Sequence, residues 1–101
     1  KMNMIKPDVL LDIKFYTTDA GGRTLPTASN FYGCVFEFQG KNHDGRLLLE
    51  NIGSIYPADS KKSVPLKFLD PDSILKDLTV GSILKIREGR YIGEAVVAQI
   101  C

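Results

Sequence analysis

The C-terminal stretch Ile83-Leu84-Lys85-Ile86-Arg87-Glu88-Gly89-Arg90-Tyr91-Ile92-Gly93-Glu94-Ala95-Val96-Val97-Ala98-Gln99-Ile100 constrains the fold most. Leu84 and Ile86 alternate with charged neighbours in its first run. Ile92, Val96, Ala98 and Ile100 share the parity of one face in its second. Period-two alternation of this kind marks half-buried strands. Gly89 supplies the positive φ that a tight hairpin turn requires. A three-residue loop at Glu88, Gly89 and Arg90 sets Arg87 opposite Tyr91 and Ile86 opposite Ile92. That register brings both apolar rows to one face, and a slip of one residue separates them.

The same period runs through the rest of the chain. Val9, Leu11, Ile13 and Phe15 alternate with Asp12 and Lys14. Tyr32, Cys34, Phe36 and Phe38 form a second row, and Gly33, Glu37 and Gln39 lie on the other side. Gly40 to Gly45 reads as a polar turn because Asp44-Gly45 is a strong turn dipeptide. Leu47 and Leu49 then make a short strand that ends at Asn51 to Gly53. Val64, Leu66 and Phe68 form the next row. Pro65 lacks a ladder donor and places that run at an edge or a strand start. Ile74 to Leu78 reads as one helical turn capped by Asp72 or Ser73, too short to stand alone. Together these make about six short strands and no helix of real length. With so few strands, closing the sheet is the simplest way to remove both edges. The expected fold is an all-β, six-stranded antiparallel closed β-barrel over residues 8–101, preceded by a flexible segment at 1–7.

Bulk properties narrow the classes of function. The chain has 101 residues, the length of one domain, with 44% hydrophobic and 25% charged residues. A net charge of +1 provides no electrostatic footprint for nucleic acid or an anionic membrane. No apolar run reaches the ~18–20 residues of a membrane span. Lys1-Met2-Asn3-Met4-Ile5-Lys6 has neither a long apolar region nor a cleavage site, so it does not read as a secretion signal. Cys34 and Cys101 are too few for a secreted disulfide framework and read as free thiols in a reducing, cytoplasmic compartment.

Four motifs, in order over residues 8 to 100, resemble the third, C-terminal domain of elongation factor Tu. Gly21-Gly22-Arg23 with Pro26 resembles its Gly-Gly-Arg-His-Thr-Pro loop. Tyr32-Gly33-Cys34-Val35-Phe36-Glu37-Phe38 is similar to its Tyr-Arg-Pro-Gln-Phe-Tyr-Phe strand. Pro57-Ala58-Asp59 is similar to its Pro-Gly-Asp turn. Arg87-Glu88-Gly89-Arg90, Ile92-Gly93 and Val96-Val97-Ala98 resemble its Arg-Glu-Gly-Gly-Arg-Thr-Val-Gly ending. The resemblance implies a six-stranded antiparallel barrel. In the full factor this domain helps hold aminoacyl-tRNA and contacts the GTPase domain and the exchange factor. The sequence departs from the pattern at Thr24, Gly33 and Cys34 and lacks one glycine of the last turn. Those loops face RNA in the family, so these departures, together with the near-neutral charge, favour a protein partner ahead of tRNA. No phosphate loop of the Gly-x-x-x-x-Gly-Lys-Ser/Thr type is present, and GTP is not expected.

The candidate binding residues are Gly21, Gly22, Arg23, Tyr32, Arg87, Glu88, Arg90, Tyr91 and Glu94. Gly21-Gly22-Arg23 offers backbone amides and a guanidinium to a phosphate, but no helix start follows and the stretch also reads as a structural loop. Arg87, Glu88, Arg90 and Tyr91 form a charged hairpin tip, either a recognition patch or a solvated turn. Glu94 shares the parity of Ile92 and Val96, so it needs a barrel mouth or a partner such as Arg23 or Arg87. His43-Asp44 lacks further ligands or catalytic partners and reads as a polar hairpin tip. Cys34 falls in the row of Phe36 and reads as packing. No catalytic residue, metal or cofactor is expected. The expected role is a binding module for a protein, with a toxin or a translation component as candidate partners. An RNA-binding domain and a small enzyme with an unrecognised pocket are the alternatives.

Overall fold

The alternating runs pair into one closed sheet. The computed structural model describes residues 5–101, so the expected 1–7 segment lies in part outside the described residues. Its six strands are β1 (Val9–Phe15), β2 (Phe31–Phe38), β3 (Lys41–Leu48), β4 (Ser60–Phe68), β5 (Ile83–Arg87) and β6 (Tyr91–Ile100). They close in the order β1-β4-β3-β2-β5-β6, and every pairing is antiparallel. The expected closed six-stranded antiparallel barrel is therefore the fold.

The inner rows are largely those the alternation marks. Val9, Leu11, Ile13 and Phe15 of β1 are buried, as are Val64, Leu66 and Phe68 of β4 and Leu84 and Ile86 of β5. Phe36 meets Phe68 edge-on at 6.2 Å, and Phe15 meets Tyr32 at 6.4 Å, geometries that favour the ring quadrupoles. The Asp8 carboxylate ties the start of β1 to the end of β4, accepting the Phe68 amide at 2.8 Å and the Lys67 ammonium at 3.1 Å.

Four local expectations are corrected. First, Gly40 to Gly45 is not one turn. Gln39 (φ 52°) and Gly40 (φ 79°) make a two-residue turn, and β3 begins at Lys41. His43, Asp44 and Gly45 are strand residues opposite Phe36, Val35 and Cys34. Positive φ at both central positions matches the twist of the flanking strands. Gly45 is needed inside, since a Cβ there would lie 2.8 Å from Leu66 Cδ1 and 2.9 Å from Phe36 Cε1.

Second, β6 changes parity. Arg87 pairs with Tyr91 as expected, but Ile86 pairs with Gly93, leaving Ile92 as an extra residue. A further shift against β1 leaves Ala98 without a register partner. Such bulges re-aim the side chains beyond them. Ile92, Ala95 and Val97 are therefore buried, while Val96 and Ile100 are exposed. Third, β4 is no edge strand, because the barrel is closed. Its ladder with β3 covers Leu66 to Phe68 and leaves Pro65, the residue preceding Leu66, without a β3 partner. Fourth, the 74–78 turn is two short 3₁₀ turns, Pro71–Ser73 and Leu75–Asp77, with no side-chain cap from Asp72 or Ser73. Burial of Ile74 and Leu78 holds them to the barrel.

Candidate functional site

Six of the nine candidate residues converge at one end of the barrel. Thr17 caps the 3₁₀ turn Thr18–Ala20, and Gly21 ends it at φ 95°. This loop lies against the β5–β6 hairpin tip. Arg23 is the clasp. Its Nη1 donates to the Tyr32 hydroxyl at 2.9 Å and to Glu88 Oε1 at 2.6 Å. Its Nε donates to the Leu25 carbonyl at 3.1 Å and its Nη2 to the Pro26 carbonyl at 3.3 Å. Arg90 closes the loop from the other chain segment, with Nε to the Gly21 carbonyl at 2.7 Å and Nη2 to the Gly22 carbonyl at 3.1 Å. The Gly21 and Gly22 amides go to the carbonyls of Thr18 and Thr17 at 3.0 and 2.9 Å. The donors that a phosphate would use are thus bonded within the chain.

The electrostatics of this end follow from burial. Burial is the largest influence on Arg23 and lowers its pKa, but Tyr32 and Glu88 together raise it above the ordinary value. Burial pushes the Tyr32 phenol well up, assisted by Cys34 and Glu88 against the pull of Arg23. Burial likewise pushes the Cys34 thiol well up, with Glu88 adding and Arg23 opposing. A thiol held protonated in this way is a poor nucleophile.

Arg87 and Tyr91 belong to a second cluster on the outer face of β2, β5 and β6. The Tyr91 hydroxyl donates to Glu37 Oε1 at 2.6 Å, while Arg87 Nη1 lies 3.8 Å from the same oxygen. The Arg87 guanidinium sits over the Tyr91 ring at 5.0 Å and the Lys85 ammonium at 5.8 Å. Glu94 stands apart. The bulge at Ile92 turns it to the outer side, in register between Lys14 and Lys85. The Tyr16 hydroxyl donates to it at 3.4 Å; Arg23 and Arg87 meet Glu88 and Glu37 instead. His43 contacts the Ser73 hydroxyl at 3.3 Å and packs edge-on against Phe68.

One concave surface was not legible in the sequence. A groove of about 670 Å³ crosses β2, β3 and β4, lined by Gly33, Cys34 and Val35, by Asp44, Gly45 and Arg46, and by Lys67, Phe68 and Leu69, with Ile5 beside them. The strand register stacks these triplets. Leu69 is 78% exposed. Arg46 lies over the Phe31 ring at 5.3 Å. The signal that would have found the groove is Gln39-Gly40 as the hairpin turn, which makes Asp44 and Arg46 outward strand residues. Among the described residues no group of three His, Cys, Asp or Glu side chains is placed to hold a metal ion. No helix of the described residues is long and apolar enough to cross a membrane. No protein-family model matches the chain, and no curated protein matches it.

Proposed function

We propose that the chain is a non-catalytic binding module of the elongation factor Tu third-domain type that engages a protein partner through one barrel face and its loops. The observation that carries this reading is the groove on β2, β3 and β4, whose lining mixes apolar side chains with opposite charges. The near-neutral total charge favours a protein over RNA. Free Cys34 and Cys101 suit a reducing cytoplasm, where a translation component or a toxin is the candidate partner.

The test uses Gly33→Trp. A Cβ at Gly33 meets nothing nearer than the Gly45 carbonyl at 3.9 Å, so the backbone there accepts a side chain, and an indole at this position of the lining is expected to obstruct the groove. The immobilised wild-type chain is expected to retain a defined protein from cell extract, and the variant to release it. Recovery of no specific protein by the wild type would overturn the reading. RNA binding is the second reading, favoured by the exposed Tyr91 ring with Lys85 and Arg87 against it. It predicts a tRNA mobility shift that fades steeply between two salt concentrations.

A further inference from the structure

The groove carries two charges that the fold leaves unmatched. Asp44 and Arg46 are exposed, and they stand two residues apart on β3. Alternate residues of a strand share one face, at a separation of roughly 6.8 Å. Among the described residues neither takes part in an ion pair, whereas the neighbouring Lys67 is matched by Asp8. The Arg46 guanidinium rests on the Phe31 ring, which limits its freedom before any partner arrives. Val35, Leu69 and Ile5 supply apolar lining beside the two charges.

Resting on the protein-partner reading above, we infer that the groove takes an extended segment of the partner with an acidic and a basic residue two positions apart, flanked by large apolar residues. The acidic side chain meets Arg46 and the basic one meets Asp44. An extended chain repeats its facing side chains at the same spacing as β3, so both pairs form together. The flanking apolar residues cover Leu69 and its neighbours. Where the groove crosses it, β3 is paired with β2 on one side and, from Gly45 to Leu47, with β4 on the other, so it offers no free edge there for the segment to extend. Side chains therefore provide the recognition.

The experiment titrates the isotopically labelled full chain with three acetylated, amidated peptides: Leu-Glu-Ala-Lys-Leu, Leu-Glu-Ala-Glu-Leu and Leu-Lys-Ala-Lys-Leu. The expected result is amide shift changes at Gly33, Val35, Asp44, Arg46 and Leu69, with the mixed-charge peptide roughly fivefold tighter than either control. Arg46→Glu moves the preference to the lysine peptide, and Asp44→Lys moves it to the glutamate peptide. Gly33→Trp abolishes the changes for all three. Equal affinity for the three peptides, a ranking indifferent to charge reversal, shift changes outside the groove, or no binding at millimolar peptide would each overturn the inference. Capture of a protein by the full chain is read separately, so a failed charge preference with capture intact removes this inference alone.

Discussion

Adjacent glycines in the clasped loop have different reasons to be glycine, and two alanine variants separate them. Gly22 has an ordinary φ but no room. A Cβ there would lie 2.3 Å from the Tyr16 carbonyl oxygen and 2.8 Å from that of Thr17. Both atoms are backbone, so neither can rotate away. Overpacking of a rigid site costs about 1–3 kcal/mol, and this contact belongs at the upper end. Displacing the loop also weakens the Arg90 bond to the Gly22 carbonyl at 3.1 Å, worth about 1 kcal/mol. Gly22→Ala should therefore cost about 3–4 kcal/mol. Gly21 has free space around it but φ 95°, so Gly21→Ala should cost about 1 kcal/mol. In a domain of this size 1 kcal/mol moves Tm by roughly 4–8 °C. Thermal unfolding followed by circular dichroism should show a loss of well over 10 °C for Gly22→Ala and a small one for Gly21→Ala. Gly21→Asn should recover most of the latter. Equal losses for the two alanine variants would refute the distinction between space and dihedral.

Other perturbations follow from the same contacts. Arg23→Ala removes the partner of the Tyr32 hydroxyl and of Glu88 and should cost about 1–2 kcal/mol in denaturant unfolding; Arg23→Lys should recover little, because an ammonium cannot reproduce the four-way fork. Tyr32 and Cys34 have raised pKa values in the folded state, chiefly through burial. Their stabilising contribution is complete below the unfolded values of about 8.5 for a thiol and about 10 for a phenol, and it declines as pH rises past them. Urea midpoints should fall above about pH 9, and Cys34→Val should flatten the first part of that decline. Gln39→Asn places a residue tolerant of left-handed φ at 52° before Gly40 and should stabilise by about 0.5 kcal/mol, read as a raised Tm.

How much of this was legible depends on which force set each feature. The inner rows of β1, β4 and β5 were legible because burial alone dictates period two. The hairpin tip was legible because Gly89 and the loop length fix Arg87 opposite Tyr91. The parity change in β6 was not. It is set where Gly93 packs against β1, where a Cβ would lie 2.6 Å from the Lys14 carbonyl oxygen and 3.0 Å from Phe15 Cδ1. That close approach exists only once the sheet has closed. Glu94 was misplaced for the same reason, since its face depends on the bulge before it. The start of β3 was missed because Asp44-Gly45 carries a stronger local turn signal than Gln39-Gly40. Packing of Phe36 and Leu66 on Gly45 overrides that local preference.

These placements decide which surface a partner can use at least cost. Arg23 and Arg90 were candidates for recognition because of their charge and loop position. In the fold Arg23 makes bonds to Tyr32, Leu25, Pro26 and Glu88, and Arg90 to Gly21 and Gly22. A partner docking there must break or desolvate bonds that hold the barrel end shut, and an unsatisfied polar group costs about 1–3 kcal/mol, more when charged. Arg46 and Asp44 present the opposite case. Both are exposed and take part in no ion pair among the described residues, so pairing them with a partner would break no internal ion pair, only the Arg46 contact with Phe31 being at stake. On the protein-partner proposal, this asymmetry favours β2, β3 and β4 as the docking face, while the Gly21-Gly22-Arg23 loop is tied to Tyr32 and to the β5–β6 hairpin tip.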